Sequence, residues 1–131
     1  MEPQMDADER RLNEITERII GCCYTVANEL GAGFLEKVYE NALRLELIAC
    51  GLSALPQHPI PVHYRGEVVG DYYADLLVEG LVLVELKAVK EFDEVHKAQC
   101  INYLKATGLR ICLLINFGKS KIEIKRIVRQ F

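Results

Sequence analysis

The sequence predicts an α/β fold in which helices pack against a mixed central sheet. Two stretches near the N-terminus carry apolar residues at helical spacing, and three short apolar runs follow between residues 60 and 88. A third helical stretch separates the last of these runs from another apolar strand, which is the arrangement of a parallel crossover. The expected order is therefore two helices, an antiparallel three-strand meander, a crossover helix and further strands.

Composition limits the classes of protein to consider. Half of the 131 residues are hydrophobic and 27% are charged, as in ordinary globular domains. We expect one domain over residues 1–131, with residues 1–8 as a flexible leader. The apolar runs are too short to span a bilayer, and no secretory signal is visible, so we expect a cytoplasmic protein. The five cysteines lack C-x-x-C spacing, and we expect them to be reduced, buried thiols. The net charge of −3 argues against nonspecific coating of nucleic acid but does not exclude a nuclease.

The first two elements are helices at about residues 8–30 and 34–50. Gly31 and Gly33 are expected to end the first helix, because glycine readily adopts the left-handed cap conformation. Its apolar stripe comprises Leu12, Ile15, Ile19, Cys22, Val26 and Leu30. For the second helix we expect an inner face of Leu35, Val38, Ala42, Leu45 and Ala49. A neighbouring apolar strip of Tyr39, Leu43 and Leu47 predicts that this helix is buried on more than one side.

The meander follows these helices. Three prolines, Pro56, Pro59 and Pro61, confine the chain to an extended edge, so the first strand is expected to begin near Ile60. The turn at residues 65–67 leads into a second strand that runs on to residue 78. The third strand, residues 81–84, is uninterrupted and apolar, as expected of a central strand covered on both faces.

Charged residues interrupt this buried pattern in the stretch of residues 75–87 (DLLVEGLVLVELK). Because residues two apart in a strand share a face, Glu85 and Lys87 project side by side and Leu86 points away. Burying two charges costs several kcal/mol each unless they are paired or bind a charged ligand. An isolated Glu-x-Lys is common and favours a surface pair, but the apolar strand before it and Asp75 ten residues earlier favour a site.

The connection between the second and third strands decides whether Asp75 joins this pair. A two-residue loop would place Asp75 opposite Val84, on the wrong face. A three-residue loop with Gly80 at positive φ would place Asp75 on the same face as Glu85, either opposite it or one diagonal away. Two carboxylates beside a lysine would then suit a hard divalent ion such as Mg²⁺.

The remaining elements complete the sheet. Asp93 is expected to cap a helix that runs to Thr107 and is closed by Gly108. Gln99 and Tyr103 share one face of that helix, and its apolar stripe is expected to be Val95, Ala98, Ile101 and Leu104. The strand at residues 111–116 should run parallel to residues 81–87, and residues 121–128 alternate as a last strand.

This order of elements, with Asp75, then Glu85-x-Lys87, then Gln99, resembles the PD-(D/E)xK nuclease superfamily, which has the restriction-endonuclease-like fold. Residues 33–39 (GFLEKVY) also match the signature of the GxxExxY family within that superfamily. The resemblance covers about residues 12–128. One departure is that Ala74 precedes Asp75 where the motif has proline.

The resemblance implies a metal site. Asp75 and Glu85, with the backbone carbonyl of Leu86, would ligate one or two Mg²⁺ or Mn²⁺ ions. Glu36 would be a further acid, either a direct or a water-mediated ligand. From the residues alone, Glu36 is explained as well by a favourable interaction with the N-terminus of its helix.

The resemblance also implies the other site residues and the reaction. Lys87 would orient or help to deprotonate the attacking water and stabilise charge on the phosphate. Gln99 would line the site, with Tyr39 and Tyr103 as supporting residues. The implied reaction is hydrolysis of phosphodiester bonds in nucleic acid, in DNA before RNA. Because a single small domain would face duplex DNA, we also expect that the protein can act as a homodimer. The alternative is a non-catalytic nucleic-acid-binding or protein-interaction module that keeps the nuclease fold.

Overall fold

In the computed structural model, which describes residues 6–129, three helices pack against a five-stranded mixed sheet. The strands follow one another across the sheet in chain order, and only β3 and β4 are parallel. This is the predicted α/β architecture. The elements are α1 (Ala7–Leu30), α2 (Glu36–Ala49), β1 (Ala54–Tyr64), β2 (Glu67–Val78), β3 (Val82–Lys87), α3 (Glu94–Thr107), β4 (Ile111–Asn116) and β5 (Glu123–Val128).

Helix α1 begins at Ala7, one residue before the expected start, and is capped by Asp6. The Asp6 side chain accepts a hydrogen bond from the Glu9 backbone N–H at 2.8 Å, and Gly31 ends the helix with φ 68°. Ala7 and Asp8, which fall within the expected leader, are helical, and residues 1–5 of that leader lie outside the described residues. Five of the six residues of the expected apolar stripe of α1 are buried, and the sixth, Leu30, is half-buried against the same core, so the stripe is confirmed.

The expected inner face of α2 is wrong. Its buried residues are Tyr39, Glu40, Leu43 and Leu47, whereas Leu35 and Leu45 are 81% and 68% exposed. The helix carries two adjacent apolar stripes, and it packs with the neighbouring strip rather than with the one expected. Helical periodicity detects both stripes but does not tell which of them contacts the sheet.

Strand β1 begins six residues earlier than expected, at Ala54, and contains all three prolines. The reason is its position: β1 is an edge strand that pairs only with β2, so the missing proline N–H groups can face away from the ladder. The hairpin of β1 and β2 is long, whereas β2 pairs with β3 only over residues 76–78. The outer part of the hairpin is therefore a two-stranded arm.

The central strands β3 and β4 separate two apolar clusters. Residues Val82, Val84 and Leu86 of β3 pack on the side of α1 and α2. Leu83 packs on the opposite side with Cys100, Tyr103 and Leu104 of α3. Both faces of the central sheet are covered, which explains why β4 is buried at every position.

Helix α3 has the predicted caps but not the predicted inner face. The Asp93 side chain accepts a hydrogen bond from the Val95 N–H, and Gly108 ends the helix in the left-handed conformation. Of the expected stripe, only Leu104 is buried. The other buried residues of α3 are Cys100 and Tyr103, which are not in that stripe. Val95 and Ile101 are 69% and 46% exposed.

The five cysteines are free thiols. Four are buried, as expected, and Cys50 at the C-terminus of α2 is exposed. Burial raises the pKa of Cys22 to about 12 and that of Cys23 further, so these two thiols are poor nucleophiles. Among residues 6–129, none of the helices is both long and apolar enough to cross a membrane.

Candidate active site

Asp75 and Glu85 meet where β2 and β3 separate. The register that pairs Leu76 with Val84 continues to place Asp75 opposite Glu85. At this point side chains replace the backbone ladder: the Asp75 N–H donates to Glu85 Oε1 at 2.9 Å, and the Leu86 N–H donates to Asp75 Oδ2 at 2.8 Å. The two carboxylates therefore lie at the fork between the strands, as the three-residue connection predicts.

The loop between β2 and β3 fixes this register. Gly80 has φ 66°, as expected, and Glu79 also lies in the left-handed region at φ 54°. Glu79 is held there by two hydrogen bonds with Ser53: its N–H donates to the Ser53 carbonyl at 3.0 Å, and its carboxylate accepts from the Ser53 N–H at 2.8 Å. A non-glycine residue at positive φ is uncommon, and the Ser53 contacts supply the compensation.

Strand β2 is irregular at Asp75. Ala74 and Leu77 both pack on the α3 side, while Leu76 packs on the α1 and α2 side, so the alternation of side chains is interrupted. On β1 the residue between the partners of Ala74 and Leu76 is Gln57, which has φ 51°. Gln57 and Asp75 are therefore absent from the β1–β2 ladder, which is interrupted beside the fork.

The charged form of each carboxylate is disfavoured, because nearby positive charge does not offset the cost of burial. Burial raises the pKa of Asp75 to about 6 and, together with the Asp75 charge, raises the pKa of Glu85 to about 8. The hydrogen bonds from the Leu86 and Asp75 N–H groups and the charge of Lys87 oppose these shifts without cancelling them. A buried acidic pair of this kind is where a cation would be most strongly favoured.

Lys87 follows Glu85 on the same face of β3 and is half-buried. Its charge acts on both carboxylates, and its side chain lines a groove along α3. Its backbone carbonyl accepts a hydrogen bond from the Phe117 N–H at 2.8 Å. The sequence-predicted group of Asp75, Glu85 and Lys87 is thus brought together.

Glu36 is placed less closely than the other acids. It is the first residue of α2 and is exposed, and its charge makes only a small contribution to the raised pKa of Glu85. Within residues 6–129, no three acidic, histidine or cysteine side chains converge as a ready-made metal cage. The structure therefore places Glu36 within electrostatic range of Glu85, at the exposed start of α2.

Glu40 is a site residue that sequence reasoning missed. It is only 5% exposed, accepts a hydrogen bond from Gln57 Nε2 at 3.0 Å and pairs with Lys37. Its charge and a hydrogen-bonding contact raise the pKa of Asp75. The available signal was its spacing, because Glu40 lies four residues after Glu36 and so on the same helix face.

Tyr39 connects the loop before α2 to the end of β4. Its hydroxyl donates to the Gly31 carbonyl at 2.6 Å and accepts from the Phe34 N–H at 3.1 Å. Its ring stacks on Phe117 with centroids 4.7 Å apart. Because the Phe117 N–H is bonded to the Lys87 carbonyl, these contacts link the end of β3 to the loop that precedes Glu36.

Asn116 and Gly118 fix the connector that follows β3. The fully buried Asn116 amide accepts from the N–H groups of Val89 and Gly118 and donates to the Val89 carbonyl, at 2.9–3.1 Å. A Cβ on Gly118 would lie 2.4 Å from the Val89 nitrogen, so only glycine permits this approach. The polar end of β4 thus holds the backbone beside Lys87.

Gln99 and Tyr103 form the α3 wall of the site. Gln99 Nε2 donates to the Tyr103 hydroxyl at 2.9 Å, and that hydroxyl lies 3.5 Å from the Tyr73 carbonyl. Burial and the nearby charges of Glu85 and Asp75 raise the pKa of Tyr103. The neutral tyrosine thus lies within electrostatic range of the acidic pair, and Gln99 is bonded to it.

Known proteins share this fold and this sequence pattern. The family model of the PD-(D/E)XK nuclease superfamily matches residues 13–127. The crystal structure of SSO0001 superposes with a TM-score of 0.53 at 18% identity over 93% of this chain. An alkaline exonuclease (LHK-Exo) from Laribacter hongkongensis superposes with a TM-score of 0.54 at 16% identity over 96% of this chain.

The two solved structures are longer chains. This chain spans 61% of the SSO0001 chain and 73% of the exonuclease chain. Because the sequence identities are only 18% and 16%, the likeness shows the fold alone. No curated protein has a matching sequence. The family match covers most of the chain, and the protein therefore belongs to the PD-(D/E)XK nuclease superfamily.

Proposed function

We propose that this protein is a metal-dependent nuclease that hydrolyses phosphodiester bonds in nucleic acid, with DNA preferred over RNA. One observation carries the proposal: the Asp75 and Glu85 carboxylates meet beside Lys87 at the fork between β2 and β3, linked by two hydrogen bonds to backbone N–H groups. Superfamily membership supports the same function. Buried acids with raised pKa values are concentrated at functional sites, which supports the same function.

The chemistry of the donor set fits a divalent ion. Mg²⁺ is usually held by one or two carboxylates and keeps several waters, so a third protein acid is not required. Asp75 and Glu85, with the Leu86 carbonyl, would hold Mg²⁺ or Mn²⁺, and Glu36 would act through water. When bound, the ion would lower the pKa of a water and neutralise charge on the phosphate.

The remaining residues have roles that follow from their positions. Lys87 orients the attacking water and stabilises the negative charge that develops on the phosphate. Gln99 contacts the substrate, and Tyr103 holds Gln99 by their hydrogen bond. Tyr39 supports the site indirectly, since its hydroxyl fixes the loop before Glu36.

Three further proposals concern the family, assembly and location. The GxxExxY assignment is supported by Gly33 at φ 114° and by the buried Tyr39. A homodimer is supported by the exposed apolar side chains of Leu35, the N-cap of α2, and of Val38 and Leu45 within that helix. A cytoplasmic location is supported by the free thiols.

The test is a nicking assay on supercoiled DNA with Mg²⁺ or Mn²⁺. Asp75→Asn and Lys87→Ala should each lower the rate by at least about 100-fold. The matched controls Asp71→Asn and Lys90→Ala, which change exposed residues, should nick at the wild-type rate. Nicking that survives both site substitutions would come from a contaminant and would refute the proposal. Metal binding without nicking in any condition would instead support the non-catalytic module.

A further inference from the structure

A groove lies beside the candidate site, between α3 and the outer part of the β1–β2 hairpin. Its volume is about 870 Å³. The hairpin forms one wall because residues 67–74 of β2 pair only with β1 and extend beyond β3. The groove reaches the site through Lys87, Gln99 and Tyr103, all of which line it.

The charge of the groove is opposite to that of the whole chain. The chain carries a net charge of −3, but none of the described residues that line the groove is acidic. Its polar lining residues are Lys87, Lys105, His63, His96, Gln99 and Asn102. These are donors or potential cations, which suit a phosphate-bearing ligand.

The groove also offers an aromatic surface. Tyr72 lines it with a ring that is half-exposed, although the ring packs at 6.0 Å against the buried Tyr103. A half-exposed aromatic ring that packs against a second ring is a platform on which a base can stack. Cationic groups beside such a platform are the combination that binds single strands.

We propose that this groove binds a single strand of nucleic acid, with phosphates near Lys87 and Lys105 and a base stacked on Tyr72. The choice of nucleic acid as the occupant rests on the proposed function. The groove volume of about 870 Å³ lies within the range of a site for one drug-sized ligand, roughly 300–1,000 Å³, which is room for a few nucleotides of one strand. A strand seated there passes Lys87 and so reaches the acidic pair.

The test measures binding without cleavage. Fluorescence anisotropy in EDTA would compare a labelled DNA strand with the duplex of the same sequence. The strand should bind the wild-type protein more tightly. Tyr72→Ala should weaken strand binding roughly ten-fold, while Tyr72→Phe and Tyr73→Ala should not. Tyr73 is an equally exposed neighbour outside the groove, so its substitution is the matched control.

Salt dependence gives a second readout. Two neutralised phosphates predict a slope of log K against log[salt] of about −1.4 for a single strand, and Lys105→Ala should reduce it to about −0.7. Lys97→Ala, on the same helix but outside the groove, should leave the slope unchanged. Unfolding curves would confirm that every variant is folded.

The outcomes separate this proposal from the proposed function. Tighter binding of the duplex, equal losses in Tyr72→Ala and Tyr73→Ala, or an unchanged slope in Lys105→Ala would overturn the groove assignment. Strand binding that follows the expectations without any Mg²⁺-dependent cleavage would refute the nuclease alone. Cleavage that is insensitive to Tyr72→Ala, with no strand binding, would refute the groove alone.

Discussion

Replacing Glu85 by glutamine should stabilise the metal-free protein at neutral and alkaline pH. Glu85 is 3% exposed, and its charged form is opposed by burial and by the adjacent Asp75. The amide has nearly the same shape and can still accept the Asp75 N–H hydrogen bond. The substitution removes the buried charge while keeping the contact, so stability should rise although the site is lost.

The magnitude follows from the pKa. A rise from 4.5 to about 8 corresponds to about 5 kcal/mol against the charged form in the folded state. The amide NH₂ requires an acceptor of its own and costs about 1–3 kcal/mol if it finds none. The expected net gain above pH 8 is therefore about 2–4 kcal/mol.

The sign of the pH dependence can be worked out directly. The folded state binds the Glu85 proton more tightly than the unfolded state does, so wild-type stability falls as pH rises from about 4.5 to about 8. The penalty is absent below that window and complete above it. The advantage of the Glu85→Gln variant should therefore appear across the same window.

The assay is urea unfolding in EDTA at several pH values, with Glu67→Gln as the control at an exposed glutamate. Saturating Mg²⁺ should stabilise the wild type, by about 2.7 kcal/mol at 100 times Kd, and should not stabilise Glu85→Gln. A variant that is destabilised equally at all pH values would refute the reasoning, because Glu85 would then act as an ordinary structural residue.

Three other predictions concern Gly118, Tyr39 and metal binding by the acidic pair. Gly118→Ala should lower the free energy of unfolding in urea by about 2–4 kcal/mol, because the added Cβ would meet backbone atoms. Gly21→Ala, which has open space around it, should stabilise α1 by about 0.5–1 kcal/mol. The reverse order of stabilities would contradict the close approach at Gly118. Tyr39→Phe should lower the free energy of unfolding by about 1–3 kcal/mol, because the Gly31 carbonyl and the Phe34 N–H lose their partner. It should also increase amide hydrogen exchange in residues 31–35, and unchanged exchange there would contradict this role. Calorimetric Mg²⁺ affinity should rise between pH 6 and 8 as Asp75 and Glu85 lose protons; a pH-independent affinity would count against binding at these acids.

The sequence predicted the geometry of the acidic pair because strand parity is a strong constraint. Once Gly80 is assigned positive φ in a three-residue loop, regular alternation places Asp75 on the face of Glu85, either opposite it or one diagonal away, and the structure has it opposite. The crossover helix between β3 and β4 was equally predictable, since its capping residues stand at both ends. The reciprocal hydrogen bonds between side chains and backbone at the fork could not be inferred from spacing.

The errors in the sequence analysis concern which face of an element is covered. On α2, periodicity revealed two stripes but could not rank them, and the covered one contains Tyr39 and the buried acid Glu40. On α3, Val95 was expected in the core but lines the groove. These outcomes depend on the long hairpin and on tertiary packing, which local pattern does not encode.

The most direct measurement of the central claim is a crystal structure of the protein soaked in manganese. We expect anomalous density between the Asp75 and Glu85 carboxylates, within coordination distance of both, and none in an Asp75→Asn crystal. Density at another place with this pair left empty, or equal density in the variant, would contradict the assignment of the fork between β2 and β3 as the catalytic site.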